Sequence, residues 1–332
     1  MKGIIIFYLF HESCPEAMRK NTKKYRIFLL IKTRSNGIIY HNKKLESEMS
    51  DMSRKITLLD GAVGTTLWGI AEAHGVAKVP VWRYNIEHPE FVEELTRRYL
   101  DAGSEIILAN TFGANGPAVK HSSSYTAPEV VSAGVKITKR VLEGTGVKTC
   151  FSVGPLTQIL EPYGDLEEDE CRAIYEEMIN AGVEAGCDII LIQTFMDLAM
   201  MKIAAEVAKT YDLPVFCSMT FEKAGKTMFG NSVQDTIDEL VPLGIDAIGL
   251  NCSLGPDLAL PIIKEFAEKT DLPIIFKPNA GKPILSADGT TSTAYSAEQF
   301  AEDVKPALPY INYVGGCCGS DATYIKELKK LL

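Results

Sequence analysis

The chain of 332 residues lacks several signatures that would place it in a common class of protein. No apolar run is long enough to span a bilayer, so we expect no membrane association. The opening "MKGIIIFYLFHESC" is too short for a membrane span and has no convincing cleavage site for a signal peptide. The turn "DGAVGTTL" does not fit the GxGxxG pattern of dinucleotide sites, and no Walker-type lysine follows it.

Cysteine is sparse for a chain of this length, with eight residues in all. This number is too low for a disulfide-stabilised scaffold and is typical of a reducing compartment, so we expect a cytoplasmic location. Cys150, Cys171, Cys187 and Cys217 lie within predicted strands or helices, and we expect them to be buried, inert thiols. Cys14 precedes the organised part of the chain and receives no role.

Charge is distributed unevenly along the chain, whose formal net charge is −9. Residues 1–55 hold 12 Lys and Arg against 5 Asp and Glu, whereas the remaining residues hold 22 against 38. The acidic body argues against nucleic acid as the main ligand. We predict that residues 1–51 form an accessory N-terminal extension, either disordered or the product of a misassigned start site, and that residues 52–332 form one domain.

One sequence pattern recurs along this domain: a polar helical stretch ends at glycine, and a short apolar strand follows. It is clearest in "DAGSEIILAN", "EAGCDIILIQ" and "PLGIDAIGLN", where the glycine closes the helix and the strand is apolar on both faces. Eight strands are predicted in this way, at residues 56–60, 105–110, 150–154, 188–193, 215–220, 246–251, 274–279 and 312–316. Eight such units in about 275 residues predict an α/β fold, a (β/α)8 TIM barrel, with an open doubly wound sheet as the alternative.

Polar and thiol side chains stand at the C-terminal ends of the predicted strands. In a (β/α)8 barrel the active site is built from these ends. The residues concerned are Asp60, Asn110, Gln193, Asn251, Cys252, Asn279, Cys317 and Cys318. Packing alone does not explain polar groups at so many strand ends, so the sequence predicts a substrate pocket there.

Three of these residues are cysteines at the predicted barrel mouth. Cys252 follows the sixth strand, and Cys317 and Cys318 follow the eighth in "VGGCCG", whose three glycines we expect to adopt positive φ and to turn both sulfurs inward. None of the five histidines lies at a predicted strand end, so three thiolates with an open fourth position predict a catalytic zinc site. Such a site would hold a substrate thiolate for attack on an electrophilic carbon. The alternatives are a vicinal disulfide and two inert thiols.

The order of motifs resembles a known family. "LLDGAVGTTL", "ANTFGAN", "SVGP", "LIQTFMD", "GLNCSLGP", "KPNAGKP" and "VGGCCGSD" stand in the order seen in homocysteine S-methyltransferases. The form "GGCCG" is most similar to the homocysteine-binding modules of cobalamin-dependent methionine synthases, and the resemblance covers residues 56–332. It implies a (β/α)8 barrel, a zinc held by Cys252, Cys317 and Cys318, and a thiol as the methyl acceptor.

The resemblance also implies roles for the polar residues at the strand ends. It implies that Asp60 helps to hold the amino group of homocysteine, with a helix cap as the alternative role. Asn110, Asn251 and Asn279 are implied to line the pocket, with turn formation as the alternative. Gln193 stands where family members usually carry a glutamate that pairs with the substrate ammonium, so this chain keeps the size of that side chain but loses its charge.

Together these features predict a zinc-dependent S-methyltransferase that acts on a small-molecule thiol and converts homocysteine to methionine. No folate barrel, cobalamin-binding module or DxHxxG motif is seen, so we expect an external methyl donor, either a small molecule or a cobamide on a separate corrinoid protein. Two alternatives stay open. One is a corrinoid-linked enzyme that demethylates an O-, N- or S-methylated substrate, and the other is a non-catalytic thiol- or metal-binding protein.

Overall fold

The computed structural model describes residues 55–252, 254–281 and 296–332, and the backbone alone of residues 284–285 and 291–292. Lys55–Leu332 forms one compact unit. The predicted extension, residues 1–51, lies outside the described residues, as does Cys14 within it. In the described part of the chain, no helix is long and apolar enough to cross a bilayer.

Eight parallel strands form the inner wall of the domain, and a short antiparallel hairpin follows the seventh. In chain order the strands are β1 (Thr57–Leu58), β2 (Ile106–Leu108), β3 (Lys148–Val153), β4 (Ile189–Phe195), β5 (Val215–Met219), β6 (Ala247–Asn251), β7 (Ile274–Lys277), the hairpin strands β8 (Ile284–Leu285) and β9 (Thr291–Ser292), and β10 (Tyr313–Val314). The hydrogen-bonded order is β1–β10–β7–β6–β5–β4–β3–β2. A parallel bridge between Leu59 and Ile106 brings the two edges together. The predicted TIM barrel is therefore confirmed, and the doubly wound alternative is wrong.

The described residues contain eleven α-helices, which cover the outside of the barrel. They are α1 (Gly64–Ala73), α2 (Tyr84–Glu87), α3 (Pro89–Asp101), α4 (Gly116–Ser122), α5 (Ala127–Leu142), α6 (Glu168–Glu184), α7 (Leu198–Ala208), α8 (Val233–Leu240), α9 (Pro256–Lys269), α10 (Ala297–Val304) and α11 (Ala322–Lys329). Local chemistry fixes several helix starts. Thr126 and Glu129 form a capping box at α5, and the side chain of Asp197 accepts the Ala199 and Met200 amides in the first turn of α7.

Side-chain alternation along the strands divides the apolar residues into two layers. In β4, Ile190 and Ile192 point outward to the large core beneath the helices, whereas Ile189 and Leu191 point into the barrel. The inner cluster consists of Leu59, Ile106, Leu108, Cys150, Ile189, Leu191, Phe216, Ala247 and Ile275. This cluster fills the lower part of the barrel, so a substrate site has room only toward the C-terminal ends of the strands.

A fourfold hydrogen-bond pattern closes the opposite end of the barrel. Just before each of the strands β2, β4, β6 and β10, a side chain accepts a hydrogen bond from a backbone amide of the preceding barrel strand. The pairs are Leu58 N to Glu105 Oε2 at 3.1 Å, Thr149 N to Asp188 Oδ2 at 2.8 Å, Val215 N to Asp246 Oδ2 at 2.8 Å, and Ile274 N to Asn312 Oδ1 at 2.9 Å. Three of these acceptors, Glu105, Asp188 and Asp246, belong to the recurring sequence pattern. The pattern therefore has a structural function at the N-terminal end of the barrel.

Candidate metal centre and substrate site

Cys252 leaves the end of β6 in a left-handed backbone conformation. Its φ is 62°, which is uncommon for a residue other than glycine. The turn is held on both sides, because the Cys252 amide donates to the carbonyl of Lys277 at 3.1 Å and the Leu254 amide donates to the carbonyl of Cys252 at 2.7 Å. This conformation places the Cys252 thiol at the mouth of the barrel rather than on the outer face of the strand.

Cys317 and Cys318 follow β10 after two glycines that are needed for close packing. A Cβ at Gly315 would lie 2.5 Å from the Asp60 carbonyl oxygen, and one at Gly316 would lie 2.2 Å from the Ser320 hydroxyl. The expectation of positive φ throughout "VGGCCG" is wrong for these two glycines. Among the glycines of this motif only the third, at position 319, has a positive φ, of 84°. The glycines therefore serve close approach before the cysteines and a left-handed turn after them.

The three thiols converge to a spacing that suits one metal ion. The Sγ atoms of Cys252, Cys317 and Cys318 all lie within 4.8 Å of one another, and those of Cys252 and Cys318 are 3.7 Å apart. Tetrahedral zinc with bonds of about 2.3 Å would separate two sulfurs by about 3.8 Å. None of the three sulfurs forms a disulfide bond, so the vicinal disulfide alternative does not describe this structure. Among the described residues, this is the group of three potential ligands that lies close enough to hold a metal.

The electrostatics of the cluster also suit a cation. Hydrogen bonding to the sulfurs of Cys252 and Cys318, followed by burial, raises the pKa of Cys317 well above its usual range. Hydrogen bonding to Cys252 is the main cause that raises the pKa of Cys318 to about 11. At neutral pH Cys317 and Cys318 therefore hold their protons in the metal-free cluster, and a bound divalent metal would displace them.

A layer of polar side chains lies between the apolar barrel interior and the mouth. Three pairs make up this layer, and each pair is internally hydrogen-bonded. They are Gln193 Nε2 to Ser152 Oγ at 2.7 Å, Ser218 Oγ to Asn251 Oδ1 at 2.9 Å, and Lys277 Nζ to Asp60 Oδ1 at 2.5 Å. The layer contains one carboxylate and one ammonium, which are bound to each other. A polar floor of this kind suits a small polar substrate held beneath a metal site.

Asp60 is fully engaged by protein groups. Besides the Lys277 ammonium, its second carboxylate oxygen accepts the Leu108 amide at 2.7 Å. The helix-cap alternative is wrong, because α1 begins after Val63 and has no side-chain cap. The role of Asp60 toward a substrate amino group stays a prediction, and such a role would share the carboxylate with Lys277.

Asn110 and Asn279 each present a buried amide oxygen without a hydrogen-bond partner. The Asn110 side chain donates to the Val81 carbonyl and to the Asn85 side chain, both at 2.8 Å. The backbone of Asn279 donates to the Leu254 carbonyl at 2.9 Å. Buried acceptors without partners are uncommon in proteins, and the pocket-lining role of Asn110 and Asn279 stays a prediction.

Sequence reasoning misses several residues of the polar layer. Lys277 gives a signal in retrospect, because a lysine in the apolar strand "IIFK" is only 2% exposed and therefore requires a partner. Ser152 and Ser218 are small polar residues in strands and stand out little. Thr194 adopts a left-handed φ of 67°, for which the sequence gives no signal.

The four cysteines predicted to be inert are all buried. Burial raises the pKa of Cys171 and of Cys187 to about 12, and it raises the pKa of Cys150 and of Cys217 as well. Because the thiolate is the reactive form, these high pKa values agree with inert thiols.

The fold and the site together place the protein in a class: (β/α)8 barrels with three converging thiols at the mouth that can hold a thiophilic metal. The family model for homocysteine S-methyltransferase matches residues 57–332. The chain therefore belongs to the homocysteine S-methyltransferase family. The resemblance seen in the motifs is thus confirmed.

Curated relatives include two methionine synthases. That of Mycobacterium tuberculosis (strain ATCC 25618 / H37Rv) is 28% identical over 301 residues, which cover 83% of this chain and 24% of the relative. That of Mycobacterium leprae (strain TN) is 27% identical over 320 residues, which cover 89% of this chain and 26% of the relative. The chain thus spans about a quarter of the length of these proteins.

Solved structures of the homocysteine methyltransferase MmuM from Escherichia coli share the fold. The oxidized form superposes with a TM-score of 0.70 at 20% sequence identity and covers 87% of this chain and 99% of its own. The metallated form gives a TM-score of 0.69 at 20% identity, over 86% of this chain and 99% of its own. These likenesses show that the barrel architecture is shared along nearly the whole neighbour.

Proposed function

We propose that this protein is a zinc-dependent S-methyltransferase that methylates homocysteine to give methionine. The convergence of three thiols within 4.8 Å of one another carries the proposal. The family supports homocysteine as the acceptor, and the names of the mycobacterial relatives support methionine as the product. Since the catalytic thiols must stay reduced, we place this activity in the cytoplasm.

Cys252, Cys317 and Cys318 would hold the zinc and leave its fourth position open. Their donor set and their spacing fit this ion. When bound, zinc would supply the positive charge that keeps an acceptor sulfur deprotonated and nucleophilic near neutral pH. Each cysteine must lose one proton when the metal enters.

The protein's remaining contribution would be to orient the acceptor above the polar layer. Gln193 already uses its amide N–H on Ser152, so its carbonyl oxygen is the group that can accept from a substrate amine. Asp60 would add negative charge nearby, reduced by Lys277. In the transfer itself, the acceptor thiol gives its proton to solvent, its sulfur forms a bond to the methyl carbon, and the donor atom leaves with the electron pair of the broken bond.

The loops at the barrel mouth support a donor carried by another protein. Four apolar side chains are exposed there, on the β3–α6 and β5–α8 loops: Ile159 (49%), Tyr163 (79%), Met228 (65%) and Phe229 (38%). We call this set the mouth patch. The Tyr163 and Phe229 rings lie 6.2 Å apart between centroids, so the two loops form one surface. Exposed apolar clusters of this kind mark interaction sites, and a separate corrinoid protein that carries a methylcobamide would fit this one.

A donor and acceptor screen on the zinc-loaded protein tests the proposal. We expect about one zinc per chain and methionine from homocysteine with at least one donor of the two classes, small molecules or methylcobamide proteins. Cys318→Ser should lose zinc and activity but keep the circular dichroism spectrum of the wild type. Cys187→Ala should keep the zinc, the activity and the spectrum. Equal zinc retention in Cys318→Ser would contradict the metal assignment.

Two other outcomes of the screen would favour the alternatives. Demethylation of a methylated substrate, without methylation of homocysteine, would assign the protein to corrinoid-linked demethylation. Saturable thiol binding without transfer from any donor would indicate a non-catalytic protein. Tyr163→Ser and Met228→Ser should lower kcat/KM for a protein-borne donor only, and Leu332→Ser, which changes a residue that is 45% exposed outside the mouth patch, should not.

A further inference from the structure

Two residues other than glycine have positive φ among those described, one linked to the candidate metal centre through Asn251 and one within it. They are Thr194, with φ of 67°, and Cys252, with φ of 62°. A β-branched residue such as threonine is strained in this region. Such strain persists only where neighbouring groups hold it. The Asn251 side chain contacts Thr194, and Asn251 immediately precedes Cys252 in the chain.

The side-chain amide of Asn251 is fully buried and uses all of its hydrogen-bonding capacity. Its oxygen accepts the Thr194 backbone amide and the Ser218 hydroxyl, both at 2.9 Å. Its nitrogen donates to the Thr194 hydroxyl at 2.7 Å and to the Cys317 sulfur at 3.9 Å. One amide therefore joins the end of β4, the end of β5 and a sulfur of the metal cluster.

We propose that Asn251 is a positioning residue that ties the metal-binding sulfur of Cys317 to the strained backbone at Thr194, where the β4–β5 register shifts. This inference rests on the proposed metal centre and goes beyond the predicted pocket-lining role of Asn251. Thr194 follows Gln193, the residue that faces the substrate in the proposed function. The amide thus holds the metal side and the substrate side of the pocket in one geometry.

The donor and acceptor pattern explains why an amide suits this position. Two N–H groups are required, for Thr194 Oγ1 and Cys317 Sγ, and an oxygen is required for the Thr194 amide and the Ser218 hydroxyl. Aspartate supplies the oxygen but no N–H group. It would also place a negative charge against a thiolate. An N–H group that points at a thiolate spreads its charge and fixes its direction, as partners of metal ligands do in general.

The test compares Asn251→Asp with Ser218→Ala, which removes one bond to the Asn251 oxygen but leaves both N–H donors in place. Zinc affinity is measured by competition with a chelator, and the cobalt-substituted protein is scanned for its sulfur-to-metal charge-transfer band. We expect Asn251→Asp to weaken zinc binding by roughly 10–100-fold and to shift the band. Ser218→Ala should change the affinity by less than about threefold and leave the band in place.

A second variant, Thr194→Gly, keeps the proposal testable if Asn251→Asp does not fold. Thr194→Gly should fold, because glycine adopts positive φ without strain, and it removes a partner of Asn251 without touching any sulfur. We expect it to shift the cobalt band in the same direction, since the Asn251 nitrogen loses its Thr194 Oγ1 acceptor and only the bonds to the Asn251 oxygen remain. Unchanged bands in both variants, with zinc affinity within twofold of wild type, would overturn the proposal. Neither measurement needs methyl transfer, so a failure here is distinct from a failure of the proposed function.

Discussion

Lys277 and Asp60 form an ion pair inside the barrel, with the ammonium nitrogen 2.5 Å from a carboxylate oxygen. Their side chains are 2% and 0% exposed. Lys277 ends β7 and Asp60 follows β1, and these two strands are separated in the sheet by β10. The pair therefore bridges the wall of the barrel on the side that carries Cys317 and Cys318.

Breaking this pair should destabilise the protein strongly. Lys277→Met leaves the Asp60 carboxylate buried without a counter-ion, so we expect a loss of about 3–5 kcal/mol in the free energy of unfolding. The double variant Asp60→Asn/Lys277→Met removes both charges and should recover most of this loss. Urea unfolding of the single and double variants measures the difference. A loss below about 1 kcal/mol in Lys277→Met would show that the pair is not buried in solution.

Gln193→Glu should strengthen the binding of homocysteine. A neutral hydrogen bond to the substrate amine becomes charge-assisted, which should tighten binding by on the order of 1 kcal/mol. Calorimetry at fixed zinc occupancy measures this change, and 4-mercaptobutanoate, which lacks the amine, is the matched control and should gain nothing. Tight wild-type binding that the variant fails to improve would refute the role of Gln193 in amine recognition. Undetectable wild-type binding that glutamate restores would favour the demethylating alternative.

The buried thiols should make the protein sensitive to alkaline pH. The pKa values of Cys171 and Cys187 are about 12 in the fold, against about 8.5 in an unfolded chain. Below about pH 8.5 both states hold these protons, and the stabilisation is complete. As the pH rises toward 12, the unfolded state loses its protons first, so the free energy of unfolding falls. Cys171→Ala/Cys187→Ala should flatten this fall in unfolding experiments at several pH values, and an unchanged slope would contradict the assignment.

Deleting residues 1–51 should leave the fold and the zinc content intact. All eight barrel strands lie beyond this segment, since β1 begins at Thr57. Circular dichroism and metal analysis of the truncated protein test this expectation. Loss of soluble protein on truncation would show that the extension contributes to the stability of the barrel.

The barrel could be predicted from the sequence because its strands have a simple physical signature. A parallel strand covered on both faces is apolar throughout, and glycine closes the helix before it. All eight predicted strands are present, with ends that differ by a few residues. Cys252, Cys317 and Cys318 could be placed together because strand ends of a barrel share one mouth.

The contacts within the polar layer could not be predicted in the same way. The sequence does not show that Lys277 reaches across β10 to Asp60, because such pairing depends on barrel closure and side-chain length. The left-handed φ of Thr194 is accompanied by two hydrogen bonds to the Asn251 side chain that only the folded chain creates. Gly315 and Gly316 were predicted to serve backbone freedom, but neighbouring atoms leave no room for a Cβ there.

The most direct test of the proposed metal centre and its use is zinc-edge X-ray absorption on the zinc-loaded protein, with and without selenohomocysteine. This measurement needs no methyl donor, and selenium scatters differently from cysteine sulfur. We predict three sulfur neighbours at about 2.3 Å before the ligand is added and one additional selenium neighbour afterward. A spectrum without a selenium neighbour at saturating ligand, or with fewer than three sulfurs, would contradict the assignment of Cys252, Cys317 and Cys318 as the site that holds zinc and the acceptor.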